Sequence, residues 1–282
     1  MNKWILGARI KTLPAAIAPV IVGTSLADQI KVINALLALI VSLSLQIAVN
    51  YANDFSDGVR GTDTNRVGPT RLVASKLATA SSVKNASFIS FFVAIIAGTL
   101  LAFNTSVWLI AVGLISILAA WGYTGGKKPY GYLGFGELAV FIFFGIVATV
   151  GSYYVQVEQI SSSALLLSIP MGSLSCAILV INNLRDLNQD KLVSKRTMAV
   201  KLGDANTRIF YLLLLVLAQV SAAAAASINN YALLTLLWLP LTYSAANQVL
   251  KGASGKELIT ILGNTSRLQF LLALTLAISL SI

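Results

Sequence analysis

Long apolar stretches punctuate this chain, at roughly 12–28, 33–52, 86–104, 105–123, 138–156, 163–181, 209–227, 230–248 and 266–282. Each approaches the roughly 20 residues that a helix needs to cross the hydrocarbon core of a bilayer. The pattern predicts an all-α, polytopic membrane protein with about nine transmembrane helices in a single domain, residues 1–282. The third and fourth stretches are divided only at Asn104-Thr105, so a count of eight or ten is the alternative. Composition agrees: 57% of the residues are hydrophobic and only 11% charged, too few charges to cover a soluble protein of 282 residues. Pro14 and Pro19 interrupt the first stretch, which favours an uncleaved span over a signal peptide ending near Ser25-Leu26-Ala27.

Charge then orients the spans. The net charge of +10 would suit a nucleic-acid partner if it were clustered on one soluble face, but its placement follows the membrane. With a cytoplasmic N-terminus, every Lys and Arg except Lys31 falls in the N-terminal segment or in the even-to-odd loops. That asymmetry is the positive-inside pattern, and it predicts an inner-membrane protein of bacterial type with the N-terminus and the two long loops, 53–85 and 182–208, in the cytoplasm. No nucleic-acid partner and no obligatory protein partner is implied. Cys176 is the single cysteine and there is no histidine, which excludes disulfide frameworks, thiolate metal sites, His-based triads and zinc sites of His type.

The long loops carry the chemistry. The first cluster runs Asn50-Tyr-Ala-Asn53-Asp54-Phe-Ser-Asp57-Gly-Val-Arg60-Gly61-Thr-Asp63. If the second helix continues through Asp57, then Asn50, Asn53, Asp54 and Asp57 form one polar stripe at i, i+3, i+4, i+7. The second cluster is Asn182-Asn183-Leu-Arg185-Asp186-Leu-Asn-Gln-Asp190, with Asp186 and Asp190 four apart on a helix face. Acids and amides at helix ends often serve only as caps. Five carboxylates in two clusters at one membrane boundary are costly unless they hold something positive. Oxygen ligands without His or Cys select Mg²⁺, which completes its shell with substrate phosphate and water. Arg60, Arg66, Arg71, Arg185, Lys195 and Arg196 are placed to bind such a polyanion. A transporter would instead place its acids near the middle of the spans.

Asn53-Asp54-Phe-Ser-Asp57 and Asp186-Leu-Asn-Gln-Asp190 resemble the two aspartate motifs of the UbiA-type intramembrane prenyltransferase superfamily, in the expected loops and over nearly the whole chain. Gly61 with Asp63, the stretch Arg66-Val-Gly68-Pro69-Thr-Arg71, Lys195-Arg196-Thr197 and the N-terminal Arg9-Ile-Lys11-Thr12-Leu13-Pro14 are similar to the branch that prenylates 1,4-dihydroxy-2-naphthoate. The resemblance implies helices around a central cavity open sideways to lipid. It implies a polyprenyl diphosphate and dihydroxynaphthoate as substrates, with 4-hydroxybenzoate as a rival acceptor. Asp54, Asp57, Asp186 and Asp190 would be catalytic and would bind Mg²⁺, with Asp63 supporting. Asn50, Asn53, Lys11, Arg60, Arg66, Arg71, Tyr123, Lys127, Asn182, Asn183 and Arg185 would contact the substrates. By the same resemblance the loop Tyr123–Gly131 would contribute to the diphosphate or aromatic pocket, and it reads equally well as a glycine-rich turn with topogenic lysines; Glu137 reads as a helix-start acid.

Overall fold

The computed structural model describes residues 2–62, 68 and 70–282, and among these there are helices and turns but no strand. A short helix α1 (Lys3–Ala8) leads through a 3₁₀ turn into α2 (Pro14–Ser25), bent from it by 51°. Next come α3 (Val32–Arg60), α4 (Ala80–Asn104) and α5 (Leu109–Gly122). α6 (Gly136–Val157) winds as a π-helix over Phe141–Val147. α7 (Ser162–Leu192) and α8 (Met198–Ala224) form a long pair. A 3₁₀ helix, Asn230–Trp238, runs into α9 (Leu239–Leu250), and α10 (Gly255–Ser281) ends the chain.

α7 is the central post. Of its apolar stretch 78% is enclosed, against 17% for α3, so α7 faces protein where α3 faces lipid and cavity. Leu174 and Ile181 of α7 pack with Tyr211 and Leu215 of α8 and with Leu268 and Leu272 of α10, all nearly inaccessible. Where helices cross closely, glycine replaces bulk, as lipid-embedded packing requires. A Cβ on Gly145 would come 2.8 Å from the Gly172 Cα, and one on Gly23 would come 2.1 Å from the Thr149 carbonyl oxygen. The outward surface is the reverse: Ile89, Phe92, Phe103, Leu118, Leu213 and Leu237 are all exposed. Six helices (α3, α4, α6, α7, α8 and α10) are long and apolar enough to cross a bilayer, and the bent pair at the N-terminus makes a seventh. The protein is a multi-pass membrane protein.

All nine predicted stretches fall on helices, but nine full crossings are not established among the described residues. The fourth stretch is the 14-residue α5, about 21 Å long and short of a ~30 Å core. The eighth begins as a 3₁₀ helix, Asn230–Trp238, and only α9 continues it as an α-helix. Both bundle ends are tied. At one end Arg60 donates to the carbonyls of Thr124 and Gly126, Lys201 to that of Leu133, and Lys3 to that of Leu77. At the other, Lys31 pairs with Glu158 at 3.5 Å, and Trp108 donates to the Tyr154 hydroxyl. Arg60, Lys201 and Lys3 therefore sit at one end and Lys31 at the other, as the charge pattern predicts.

Candidate active site

α3 runs on past its apolar stretch to Arg60 and stops at Gly61, whose left-handed φ of 72° closes the helix end. The polar stripe read from sequence therefore exists, and Asn50, Asp54 and Asp57 on it are buried. Gly58 sets the path of the returning chain. Its missing Cβ would lie 2.6 Å from the Val73 side chain, so only glycine lets the segment around Val73 lie against the helix. That approach brings the backbone N–H groups of Leu72 and Val73 onto the Asp54 carboxylate, at 2.8 and 3.0 Å. Asp54 thereby anchors the segment that carries Arg71, and it does not line the cavity.

Asp57 faces inward. The Tyr132 hydroxyl donates to it, and Arg71 Nη2 and Lys195 Nζ each lie 3.8 Å from its Oδ2. Lys195 Nζ is also 3.8 Å from Asp190 Oδ1, so one ammonium joins the two motifs. The Tyr132 ring is held between two cations, with Lys195 at 4.9 Å and Arg60 at 5.1 Å. Burial first, and then the charge of Asp57, raises the Tyr132 phenol above its ordinary 10.0. Burial pushes its neighbour Tyr130 up to about 12. On α7, Arg185 makes a two-pronged bond to Asp186 (2.8 and 2.7 Å) and donates to Asn182 Oδ1 at 2.8 Å. Asn183 donates to the buried Glu137 at 2.9 Å.

These groups border a small polar cleft lined by Thr62, Arg71, Asn182, Asp186, Asp190 and Lys195. Beside it opens a mostly apolar cavity of about 320 Å³. Along α3 its lining reaches from Asp57 to Ala38, about 28 Å of helix. Asn50, Asn53, Tyr123, Asn182 and Asn183 line its polar end with Arg71 and Lys195. Asn53 is held there by the Thr124 hydroxyl at 2.7 Å, which ties the Tyr123–Gly131 loop to the first motif. Four expected contacts are not in the cavity wall. Lys11 and Lys127 are exposed, Arg60 turns to the loop carbonyls, and Arg185 is turned to Asp186 and Asn182. Asp63 and Arg66 lie outside the described residues.

Arg9, Gln46 and Tyr132 are site residues that sequence reasoning did not assign; they reach the site by tertiary packing. Lys195, expected among the basic residues placed to bind a polyanion, and Tyr130 of the Tyr123–Gly131 loop do line the cavity. Among the described residues no three acids converge on a single point that would hold a metal ion. The donors nonetheless fit Mg²⁺: Asp57, Asp186 and Asp190 are buried carboxylates bordering one polar region. Each already faces a cation, which marks the place as one that needs positive charge.

Two aspartate-bearing helix ends that share their counter-ions, above an apolar cavity within a helical bundle, can be compared with known proteins. Over 98% of this chain and 95% of its own, the 1,4-dihydroxy-2-naphthoate octaprenyltransferase of Mycobacterium tuberculosis is 48% identical. The Escherichia coli protein of the same name is 38% identical over 88% of this chain and 85% of its own. A UbiA homolog from Archaeoglobus fulgidus bound to DMAPP and Mg²⁺ superposes with a TM-score of 0.70, covering 98% of this chain and 99% of its own at 10% identity. The apo UbiA homolog from Aeropyrum pernix K1 also gives 0.70, over 95% and 96% at 12% identity; at such identities the likeness is one of fold. Residues 16–277 match the UbiA prenyltransferase family, and with relatives this similar over nearly the full length, the chain belongs to that family.

Proposed function

We propose that this protein transfers a polyprenyl chain from an allylic diphosphate to 1,4-dihydroxy-2-naphthoate with loss of CO₂, giving demethylmenaquinol for menaquinone biosynthesis. The observation that carries the reading is the junction of a polar cleft, where Asp57 and Asp190 share Lys195, with a long apolar cavity. The relatives' names support the acceptor, and the Archaeoglobus homolog's ligands support an allylic diphosphate and Mg²⁺.

Asp57, Asp186 and Asp190 would hold Mg²⁺, with Asp54 acting through Leu72 and Val73 to hold Arg71 in position. Bound there, Mg²⁺ would supply positive charge to the diphosphate as it leaves. Arg71 and Lys195 bind and orient the diphosphate and carry part of its developing charge. Val41, Leu45, Val49 and Phe144 wall the cavity beyond and keep water from the allylic carbon. The electron-rich ring then forms a carbon–carbon bond to that carbon. As the carboxylate departs as CO₂, its bonding pair returns to the ring, so no protein base has to remove a ring proton. This chemistry needs no histidine, and the chain has none. We further place the protein in the bacterial inner membrane, with the aspartate-bearing end and the N-terminus on the cytoplasmic side.

The test is acceptor choice. Membranes containing the protein, supplied with a polyprenyl diphosphate and Mg²⁺, are expected to prenylate dihydroxynaphthoate and not 4-hydroxybenzoate. Product from hydroxybenzoate alone would overturn the acceptor assignment, and product from neither would overturn the reading.

A further inference from the structure

Two asparagines at the polar end of the cavity, Asn53 and Asn183, are held by opposite ends of their amides. The Thr124 hydroxyl donates to Asn53 Oδ1, so Asn53 keeps its amide nitrogen for the cavity. Asn183 is held the other way round. Its Nδ2 donates to Glu137 Oε1 at 2.9 Å, which fixes the nitrogen end on the Glu137 side and turns the carbonyl oxygen to the cavity that Asn183 lines. Asn183 belongs to the cavity wall, with Ile178 and Leu179, rather than to the polar cleft. It lies seven residues before Asp190 on α7, hence on nearly the same face and about 10 Å deeper along the helix.

The fold holds Glu137 against this face of α7. Gly136 lets α6 start close by: a Cβ there would come 3.2 Å from the Tyr123 ring and 3.4 Å from the Leu179 side chain. The Cys176 thiol donates to the Glu137 carbonyl at 3.0 Å. Cys176 is seven residues before Asn183, so one face of α7 grips both the backbone and the side chain of Glu137. Glu137 is only 4% exposed, and its Oε2 has no hydrogen-bond partner among the described residues. A buried acid with an orphaned oxygen lowers stability. Starting a helix does not require that burial; holding Asn183 does. A carbonyl oxygen in a cavity wall must in turn be met by a donor. The allylic diphosphate offers acceptor oxygens and a hydrocarbon tail, whereas a dihydroxynaphthoate carries two ring hydroxyls.

Resting on the reaction proposed above, we infer that Asn183 Oδ1 accepts a hydrogen bond from a ring hydroxyl of the aromatic acceptor, and that Glu137 is the positioning residue that turns the amide to do so. The pair selects a hydroxylated naphthoate over the bare ring. It places that ring between the diphosphate and the apolar wall of Val140, Phe143 and Leu179.

The test uses the purified protein in detergent, with binding read from thermal unfolding against ligand concentration. The ligands are 2-naphthoate, 1-hydroxy-2-naphthoate and 4-hydroxy-2-naphthoate, which differ only in the ring hydroxyl. Wild type is expected to bind at least one hydroxynaphthoate about tenfold or more tightly than 2-naphthoate. Asn183→Leu and Glu137→Met should each cut that preference to within about twofold while leaving 2-naphthoate within about twofold of its wild-type affinity. Glu137→Gln, which still offers Asn183 an oxygen, should restore most of the preference. In turnover Glu137→Met should raise KM for dihydroxynaphthoate and leave KM for the polyprenyl diphosphate unchanged. Asn183→Leu carries the test if Glu137→Met does not fold. No preference for a hydroxyl in wild type, a preference kept in either variant, equal weakening of all three ligands, or a raised KM for the diphosphate would each overturn the assignment. Because binding is read without turnover, a protein that shows this preference and loses it in the variants but prenylates nothing would sink the proposed reaction and leave the hydroxyl contact standing.

Discussion

The Lys195 ammonium stands 3.8 Å from the Asp57 carboxylate, across the seam between the loop after α7 and the end of α3. The same ammonium is 3.8 Å from Asp190, so a single cation serves buried acids from both motifs. Removing the charge they share weakens the compensation of both buried acids, at a cost of up to about 3–5 kcal/mol. Lys195→Met is therefore expected to lower the unfolding temperature in metal-free buffer, and Mg²⁺ should raise it more in the variant than in wild type. Turnover should fall by roughly 100-fold or more. An unchanged melting temperature and no difference in the response to Mg²⁺ would show that the ammonium is not the shared counter-ion.

Asp54 and Asp57 should fail differently when changed to asparagine. At position 54 one of the two oxygens that accept the Leu72 and Val73 amides is replaced by a group that donates, leaving a buried N–H unsatisfied. The expected loss of stability is about 1–3 kcal/mol, alongside lost activity. Asp57→Asn should abolish turnover, since its carboxylate faces the cleft, and should cost about 3–5 kcal/mol of stability because Lys195 and Arg71 lose a buried counter-charge. Paired melting curves and rates check this, and a smaller loss of stability at position 57 than at position 54 would contradict the division of roles.

Tyr132→Phe removes the donor to Asp57 without changing the ring between Arg60 and Lys195. The phenol's titration is raised in the folded protein, so its contribution to stability is present below its ordinary value of 10.0 and is lost as pH rises through the folded value. The stability gap between wild type and variant should be flat from about pH 6 to 9 and narrow only above about 10. A gap that changes between pH 6 and 8 would mean that another group controls the contact.

The far part of the cavity is lined by Gly113 of α5 and Gly151 of α6, and at both a Cβ would meet nothing within 4 Å. If the prenyl tail lies along this part, Gly113→Trp should reduce turnover of long polyprenyl diphosphates by about tenfold or more. Dimethylallyl or geranyl diphosphate should react as before. Equal effects on short and long donors would remove the tail from this region.

Much of this arrangement was legible in the sequence because it depends on periodicity. Apolar length found the helices, and spacings of three, four and seven found the buried stripe of Asn50, Asp54 and Asp57 and the pair Asp186 and Asp190. What is not periodic was not legible. Asp54 shares its helix face with Asp57, yet Gly58 admits the returning chain and turns Asp54 to backbone amides. Arg9 and Lys11 sit two apart in the same basic N-terminus, and only the left-handed backbone at Arg9 decides which one lines the cavity. Tyr132 lies just beyond the loop Tyr123–Gly131 that reads as a turn, and its role comes from packing against two cations more than sixty residues away on either side. Chain length alone also could not separate full crossings from the short α5 and the 3₁₀ start of the eighth stretch.

The central claim is that prenyl transfer and decarboxylation are one coupled event at the Asp57–Lys195–Asp190 junction. The direct measurement supplies carboxyl-labelled dihydroxynaphthoate, a polyprenyl diphosphate and Mg²⁺ to membranes containing the protein, and tracks labelled CO₂ and prenylated quinol together. The expected result is equal amounts of the two at every time, both lost on adding EDTA and both absent with Asp57→Asn. CO₂ released without prenylation, prenylated product that keeps its carboxyl label, or full activity in EDTA would contradict it.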